Sequence, residues 1–232
     1  MTEERAPWLG RVRRENVEQE DALSEAYDQR WGDIEGTHRA YVERFLASLP
    51  PGGRVLDAAC GTGKYFGLVQ ESGRSVLGVD HSAGHLARAR GKFPDAPTEV
   101  RELQGLTYER EFDGVMCIDA LEMIPPEDYP GVLAGFSRAL RTGGRLYVTI
   151  ERVPEDQVRR ENERARAAGL PVVEGEVMWH GDLYHHYPPM DRVRDWLAEA
   201  GLEVIEDLEG PWSEDHAYHH LLARARTEEP KE

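Results

Sequence analysis

Cysteine is scarce in this chain: Cys60 and Cys117 are the whole supply. Neither has a second cysteine at zinc-type spacing, which excludes ribbon- or finger-like metal domains. Two thiols do not make a disulfide framework either, so both are read as reduced cysteines of a cytoplasmic protein. Basic charge is also short. Lys and Arg number 28 against 44 Asp and Glu, for a net charge of −16. Such a surface repels phosphate backbones and anionic membranes, so nucleic acid and lipid are set aside as partners. Acidity keeps a chain soluble, and that alone accounts for it. No apolar run approaches membrane-spanning length. The first residues, "MTEERAPWLGRVRRENVEQEDAL", hold no signal-peptide core. Internal repeats and low-complexity tracts are absent, and "RTEEPKE" reads as a solvated tail.

What is there is one globular unit's worth of chain, 232 residues and 40% hydrophobic. Residues 12–49 read as helices in at least two pieces, broken near Gly32 to Gly36. In "HRAYVERFLASL", Tyr41, Phe45 and Leu49 recur every four residues and form one apolar face, and "PPGG" stops that helix. An alternation follows. "RVLDA", "SVLGVD", "TEVREL", "FDGVMCID" and "RLYVTIE" read as strands. "KYFGLVQESG", "SAGHLARARGKF" (capped by Ser82) and "EDYPGVLAGFSRALRTGG" (with a glycine stop) read as the helices between them. That order predicts an α/β fold with a doubly wound, mostly parallel sheet, whose ligand sits at the carboxyl ends of the strands.

After Glu151 the alternation breaks. Residues 154–168 read as a charged amphipathic helix, most simply a solvated face. Residues 169–189 read as an irregular stretch rich in Trp, His, Tyr and Pro. "MDRVRDWLAEAGLEVIEDLEG" then restores helix and strand, and "HAYHHLLARA" adds a strand that closes the sheet. The expected organisation is therefore N-terminal helices forming a lid (1–49), a cofactor-binding core (50–151), a cap inserted over the active site (152–189), and a last helix and strand pair completing the core (190–226).

The stretch "RVLDAACGTGKYFGL" puts Asp57 at a strand tip and a glycine turn directly after it. Gly61 and Gly63 let backbone approach a ligand closely. A nicotinamide dinucleotide site would want a third glycine where Phe66 stands, and an aromatic there obstructs close helix–strand packing. Asp57 would also repel a pyrophosphate, whereas it attracts a cation. A ligand carrying an ammonium and a sulfonium fits better, which points to S-adenosylmethionine. Asp80 ends the next strand, seventeen residues after Gly63, where a carboxylate can accept hydrogen bonds from ribose hydroxyls.

"VLDAACGTGKY", "VLGVDHS", "EFDGVMCIDALEMI" and "LRTGGRLYVTIE" resemble the successive motifs of class I S-adenosylmethionine-dependent methyltransferases, over about residues 50–151. The tail resembles that family's last helix and strand hairpin, which implies a seven-stranded, Rossmann-like sheet. One departure stands out: Ala59 replaces the first glycine of the family's Asp-x-Gly-x-Gly-x-Gly turn. The resemblance implies that Asp57 positions the cofactor's amino group, directly or through water. It lines the methionine part with backbone of Ala58, Ala59, Gly61 and Gly63. Asp80 takes the ribose, His81 and Ser82 flank the adenine, and Leu103 and Gln104 cover its edge. Asp119 and Ala120 lie beside the sulfonium, and Tyr27 and Trp31 belong to a helix closing over the cofactor.

Each assignment has a plainer rival. Asp57 could cap the following helix, Asp80 could be a turn acid, and Tyr27 with Trp31 could be core. Cys60 reads as a packing residue rather than a nucleophile. For proton transfer the candidates are His180, His185 and Glu122, the last equally readable as a solvated loop acid. His180, His185, His186, His216, His219 and His220, with Asp182 or Asp215, could hold a metal, but no ligand-type spacing supports one, and none is expected. Trp179, Tyr184, Tyr187 and Trp212 suggest an aromatic or apolar small molecule, and the acidic rim tolerates a cationic one. The expected activity is methyl transfer to oxygen or nitrogen of such a molecule. The alternatives are a cofactor-binding scaffold without chemistry and, on weaker grounds, a nicotinamide-dependent oxidoreductase. An acceptor pocket under residues 152–189 would count against the scaffold. The oligomeric state stays open.

Overall fold

The structure, a computed structural model, describes residues 4–210 and 217–226. Trp212, Asp215, His216 and the tail beyond Arg226 lie outside the described residues. Three helices open the chain: α1 (Arg5–Leu23), α2 (Tyr27–Trp31) and α3 (Gly36–Ala47). The alternation then runs β1 (Arg54–Ala58), α4 (Phe66–Glu71), β2 (Ser75–Asp80), α5 (Ala83–Lys92), β3 (Thr98–Val100), β4 (Phe112–Cys117), α6 (Tyr129–Ala139) and β5 (Leu140–Arg152). Next come α7 (Glu155–Ala167), the strands β6 (Glu176–Trp179) and β7 (Leu183–His186), α8 (Met190–Glu199), β8 (Leu202–Glu209) and β9 (Ala217–Ala225).

Seven strands form one sheet in the order β3-β2-β1-β4-β5-β9-β8. The first five are parallel, and β9 runs antiparallel to both its neighbours. β1, β2 and β4 are apolar and almost wholly buried, as strands covered on both faces must be. One core layer, with Phe45, Phe66 and Leu86, lies between the sheet and α3, α4 and α5. The other, with Phe136, Leu197 and Trp196, lies under α6 and α8. Because β1 pairs with β2 on one side and β4 on the other, the chain leaves β1 in opposite directions. The crevice this opens at the strands' carboxyl ends positions the site.

Four expectations are corrected. β9 does not close the sheet; it lies between β5 and β8, and β8 takes the edge. The third strand ends at Val100, and Leu103 to Gly105 form a 3-10 turn instead. α6 stops at Ala139, before the glycines, because Leu140 already pairs with Phe112 of β4. Residues 169–189 are not irregular throughout: β6 and β7 form an antiparallel hairpin, Trp179 opposite Leu183. Its turn runs from His180 to Asp182, with His180 and Gly181 at positive φ, and the Gly-Asp pair there is the turn signal that marks it. No helix among the described residues is long and apolar enough to cross a membrane.

Candidate active site

β1 delivers Asp57 and Ala58 to the sheet's upper edge, and the turn follows at once. Ala59, Gly61 and Gly63 all have positive φ, at 65°, 51° and 77°. Ala59 therefore adopts the backbone of the glycine it replaces, at a cost of about 1–2 kcal/mol. The turn is pinned to β2, because Cys60 N donates to Val79 O at 2.9 Å and Gly61 N donates to Asp80 Oδ2 at 2.8 Å. Asp80 Oδ1 accepts from Ser82 N at 2.8 Å, so this acid organises both loops. Ser82 caps α5 as expected, its hydroxyl accepting from His85 N. Phe66 does not obstruct the helix–strand contact. Gly78 of β2 makes room for it, since a Cβ there would lie 2.4 Å from Phe66 Cζ. The glycine needed for close packing has moved from the helix to the strand.

Asp57 is fully buried, and its Oδ2 has no hydrogen-bond partner among the described residues. Burial, reinforced by Asp80, pushes its carboxyl up to about 8. α4 has no side-chain cap, so capping is not what Asp57 does. An orphaned carboxylate behind a glycine turn suits a ligand that brings positive charge, directly or through water.

In front of the turn lies a cavity of about 530 Å³. Ala59, Gly61, Asp80, His81, Leu103 and Gln104 line it on the side of the glycine turn. Asp57, Ala58, Gly63 and Ser82 sit behind the cavity wall rather than on it. α2 lies along the cavity with the half-buried Tyr27, packed against Trp31 and His85, and the exposed Trp31 both on its wall. The helix is tied to the turn. Asp28 accepts from the Thr62 hydroxyl, and Lys92 Nζ reaches Asp28 Oδ2 at 2.8 Å. α1 is tied down at both ends. Asp21 accepts from the Ser82 hydroxyl and, at 2.9 Å, from Gly84 N. Arg5 forms a two-pronged pair with the buried Glu176 of β6, at 2.8 and 2.9 Å, and also meets Glu127.

The far end of the cavity holds Asp119, Ala120, Glu122, Glu151 and His185. Glu122 stands on the 3-10 turn after β4 and is 8% exposed, so it is no solvated loop acid. Burial, then Glu151 and Asp119, push its carboxyl well above the ordinary range. His185 goes the other way: burial pushes it down to about 4. Its Nδ1 lies 2.8 Å from the Tyr187 hydroxyl and accepts from Trp179 Nε1 at 3.1 Å. His180 is exposed on the hairpin turn and lines no part of the cavity, which removes it from the proton-transfer candidates. His219 pairs with Asp207 and His220 with the Tyr147 hydroxyl, both away from the reacting end. Among the described residues, no three His, Cys, Asp or Glu side chains converge as a metal set.

The described cap aromatics are engaged elsewhere. Tyr184 packs edge-on against Trp8 and bonds Glu176, and Trp179 and Tyr187 bond each other. None of the three lines the cavity, so they give no reason to expect an aromatic substrate. Apolar lining comes instead from Met123, Ile124 and Leu183. Cys60 reaches the wall but is 4% exposed, and burial keeps its thiol well above its usual range, as a packing role requires. Sequence reasoning passed over Glu20, His38 and Glu151, all on the wall. Glu151 ends the core of β5, so the strand-tip rule could have found it.

A family profile described as a methyltransferase domain matches residues 30–207. An uncharacterized methyltransferase of Synechocystis is 33% identical over 114 residues, 49% of this chain. That match spans only 53% of the relative's own length. A putative methyltransferase of Bacillus subtilis is 36% identical over 186 residues, covering 69% of this chain and 74% of that protein. Among solved structures, a Methanosarcina mazei methyltransferase superposes with a TM-score of 0.69 over 84% of this chain and 100% of its own, at 16% identity, a likeness of fold. With the glycine turn, Asp80 and the sheet order already in place, the match over most of the length settles the family: this chain belongs to the class I S-adenosylmethionine-dependent methyltransferases.

Proposed function

We propose that this protein transfers a methyl group from S-adenosylmethionine to an oxygen or nitrogen atom of a small molecule held in the 530 Å³ cavity. One observation carries the reading: a single cavity runs from the Asp80 strand tip to the buried Glu122. Its floor is formed partly by Leu183 and His185 of residues 152–189. A scaffold without chemistry has no use for such an acceptor end. In this reading residues 1–49 act as the lid and 152–189 as the cap. Residues 50–151 and 190–226 make up the core.

When bound, the cofactor supplies an activated methyl group. The chain supplies alignment, dryness and a proton acceptor, and alignment alone is worth roughly 7–11 kcal/mol of barrier. Asp80 holds the ribose hydroxyls, Asp57 compensates the amino group, and backbone from Ala58 to Gly63 fits the methionine part. His81, Ser82, Leu103 and Gln104 surround the adenine. Asp119 and Ala120 flank the reacting end, under Tyr27 and Trp31. Between the two remaining candidate bases, Glu122 is the stronger proton acceptor. His185, pushed down to about 4, stays neutral and orients the acceptor by hydrogen bonding.

Titration calorimetry with S-adenosylmethionine, its demethylated product and NADH tests this reading. The first two should bind in the micromolar range and NADH should not. Asp80→Ala should weaken both by about 100-fold, since it removes charge-assisted hydrogen bonds and unpins the turn. Binding of NADH alone would overturn the reading.

A further inference from the structure

We propose that the methyl acceptor is a small cationic amine whose ammonium group is received by Glu122. This rests on the methyl-transfer reading and names the substrate class of the same site. Glu122 is 92% buried by its 8% exposure, lies on the cavity wall, and its Oε2 has no hydrogen-bond partner among the described residues. A buried carboxylate oxygen without a partner is costly, by several kcal/mol when ionised. A cation entering the cavity would satisfy it.

The surroundings decide the sign of what arrives. Glu122 is faced by Glu151 at the end of β5, Asp119 ahead of its own turn, and Glu20 from α1. Tyr129 of α6 and Tyr27 of α2 also feel its charge and stay neutral, their phenols pushed up by burial. On the β7 side His185 is neutral, and on the α3 side His38 points Nε2 at Asp119 Oδ1, 3.4 Å away. Of the Lys and Arg side chains lining the cavity among the described residues, Arg13 is paired with Asp128, Arg101 with Glu99, and Lys64 lies over the Tyr65 ring. Acid thus outnumbers base around the orphaned oxygen. The cofactor's sulfonium brings a single positive charge, which cannot answer Glu122, Glu151 and Asp119 together. A neutral hydroxyl would offer Glu122 one ordinary hydrogen bond. An ammonium offers a full charge and up to three donors.

The chemistry balances. The ammonium R–NH3+ gives one proton to the Glu122–Glu151 carboxylates and becomes R–NH2. Its lone pair forms the new N–C bond as the S–C bond breaks, and that electron pair stays on sulfur. The products are R–NH2+–CH3 and neutral S-adenosylhomocysteine, and the carboxyl proton leaves to solvent. Before the amine enters, burial, with Glu151 and Asp119 beside it, pushes the Glu122 carboxyl well above the ordinary range. Entry of a cation should therefore expel a proton.

The test uses the intact protein saturated with S-adenosylhomocysteine. A panel of alkyl and arylalkyl primary amines, each with its isosteric alcohol, is titrated by calorimetry at pH 7 in two buffers of different ionisation heat. At least one amine should bind 10-fold or more tighter than its alcohol and release close to one proton. That amine should gain one methyl by mass spectrometry when S-adenosylmethionine is supplied. Glu122→Gln should lose 10-fold or more in amine affinity, and the proton release with it, while its affinity for S-adenosylhomocysteine moves less than twofold. Glu122→Asp should restore part of both. Amines binding no better than alcohols, binding without proton release, or no binding by any amine to a cofactor-loaded protein would overturn the proposal. Failure to bind S-adenosylhomocysteine would instead count against the methyl-transfer reading.

Discussion

At the cofactor end of the cavity, Asp80 meets Gly61 across nineteen residues of chain, and one turn with two strand tips makes the cradle. At the acceptor end, Glu122, Glu151 and His185 come from a 3-10 turn, the end of β5 and a hairpin, with Glu20 added from α1. Asp80 has backbone amides on both oxygens, whereas Glu122 keeps one oxygen with no partner among the described residues. Asp57, behind the glycine turn, shares with Glu122 an oxygen that has no partner among the described residues, so the two ends differ in how many elements build them rather than in whether a carboxylate is left unpaired. α1 spans the two ends, bonded to Glu176 of β6 through Arg5 and to the start of α5 through Asp21.

The comparison breaks most sharply at Arg5. Arg5→Ala leaves Glu176, a side chain fully withdrawn from solvent, without its counter-ion. The Tyr184 hydroxyl and Val173 N still donate to it, so the loss should sit at about 3 kcal/mol, the low end for a broken buried pair. Thermal unfolding should record it. Hydrogen exchange should place the weakening in residues 155–187 and spare β1, β2 and β4. Equal weakening of the sheet would mean that the two ends are not separable units.

Asp57 sharpens the same contrast from the cofactor side. Its carboxyl is raised to about 8, above its unfolded value near 4. Between those two values the native state holds a proton that the unfolded chain has lost. The protein without cofactor should therefore lose stability as pH rises from about 4 to 8. Asp57→Asn removes that slope. It should raise the melting temperature at pH 8 relative to the parent and leave it unchanged near pH 4. The same change should weaken S-adenosylmethionine about 10-fold, for want of a charged partner to its amino group. Parallel slopes in the two proteins would show that Asp57 does not carry the pH dependence.

Much of the cofactor half was legible in the chain, because Asp57, the glycine turn, Asp80 and the Ser82 cap are short-range patterns tied to strand ends. The parallel strands up to β5 followed from the alternation. The order of β8 and β9 did not, since antiparallel additions at an edge carry no spacing rule. The hairpin β6–β7 was hidden because its side chains do not alternate cleanly: Glu176 is buried with Val177 and Met178. Its buried glutamate makes sense only with Arg5, 171 residues away. His180 looked like His185 in the sequence, and only the turn that carries it, against the strand that carries His185, separates them. Gly78 went unread for a related reason. Its meaning lies in Phe66, which it admits across a helix–strand contact.

The smallest expected effect lies at the other anchor of α1. Asp21 reaches across to Gly84 N and the Ser82 hydroxyl, and so completes the N-terminal cap of α5 from a different helix. Those bonds hold its carboxyl below the usual range, the Ser82 hydroxyl contributing most. The side chain is largely exposed, so screening limits the gain, and Asp21→Ala should cost about 1 kcal/mol at neutral pH. A depressed carboxylate stabilises above its unfolded value and ceases to do so as pH falls through the folded one. The difference in stability between parent and Asp21→Ala should hold steady from pH 8 down to 5, then shrink in more acidic solution. Hydrogen exchange should rise at the 17–23 end of α1, with the Arg5 end unmoved. If both ends loosen together, α1 is one rigid strut, and lid and cap would then report cofactor binding to each other along it.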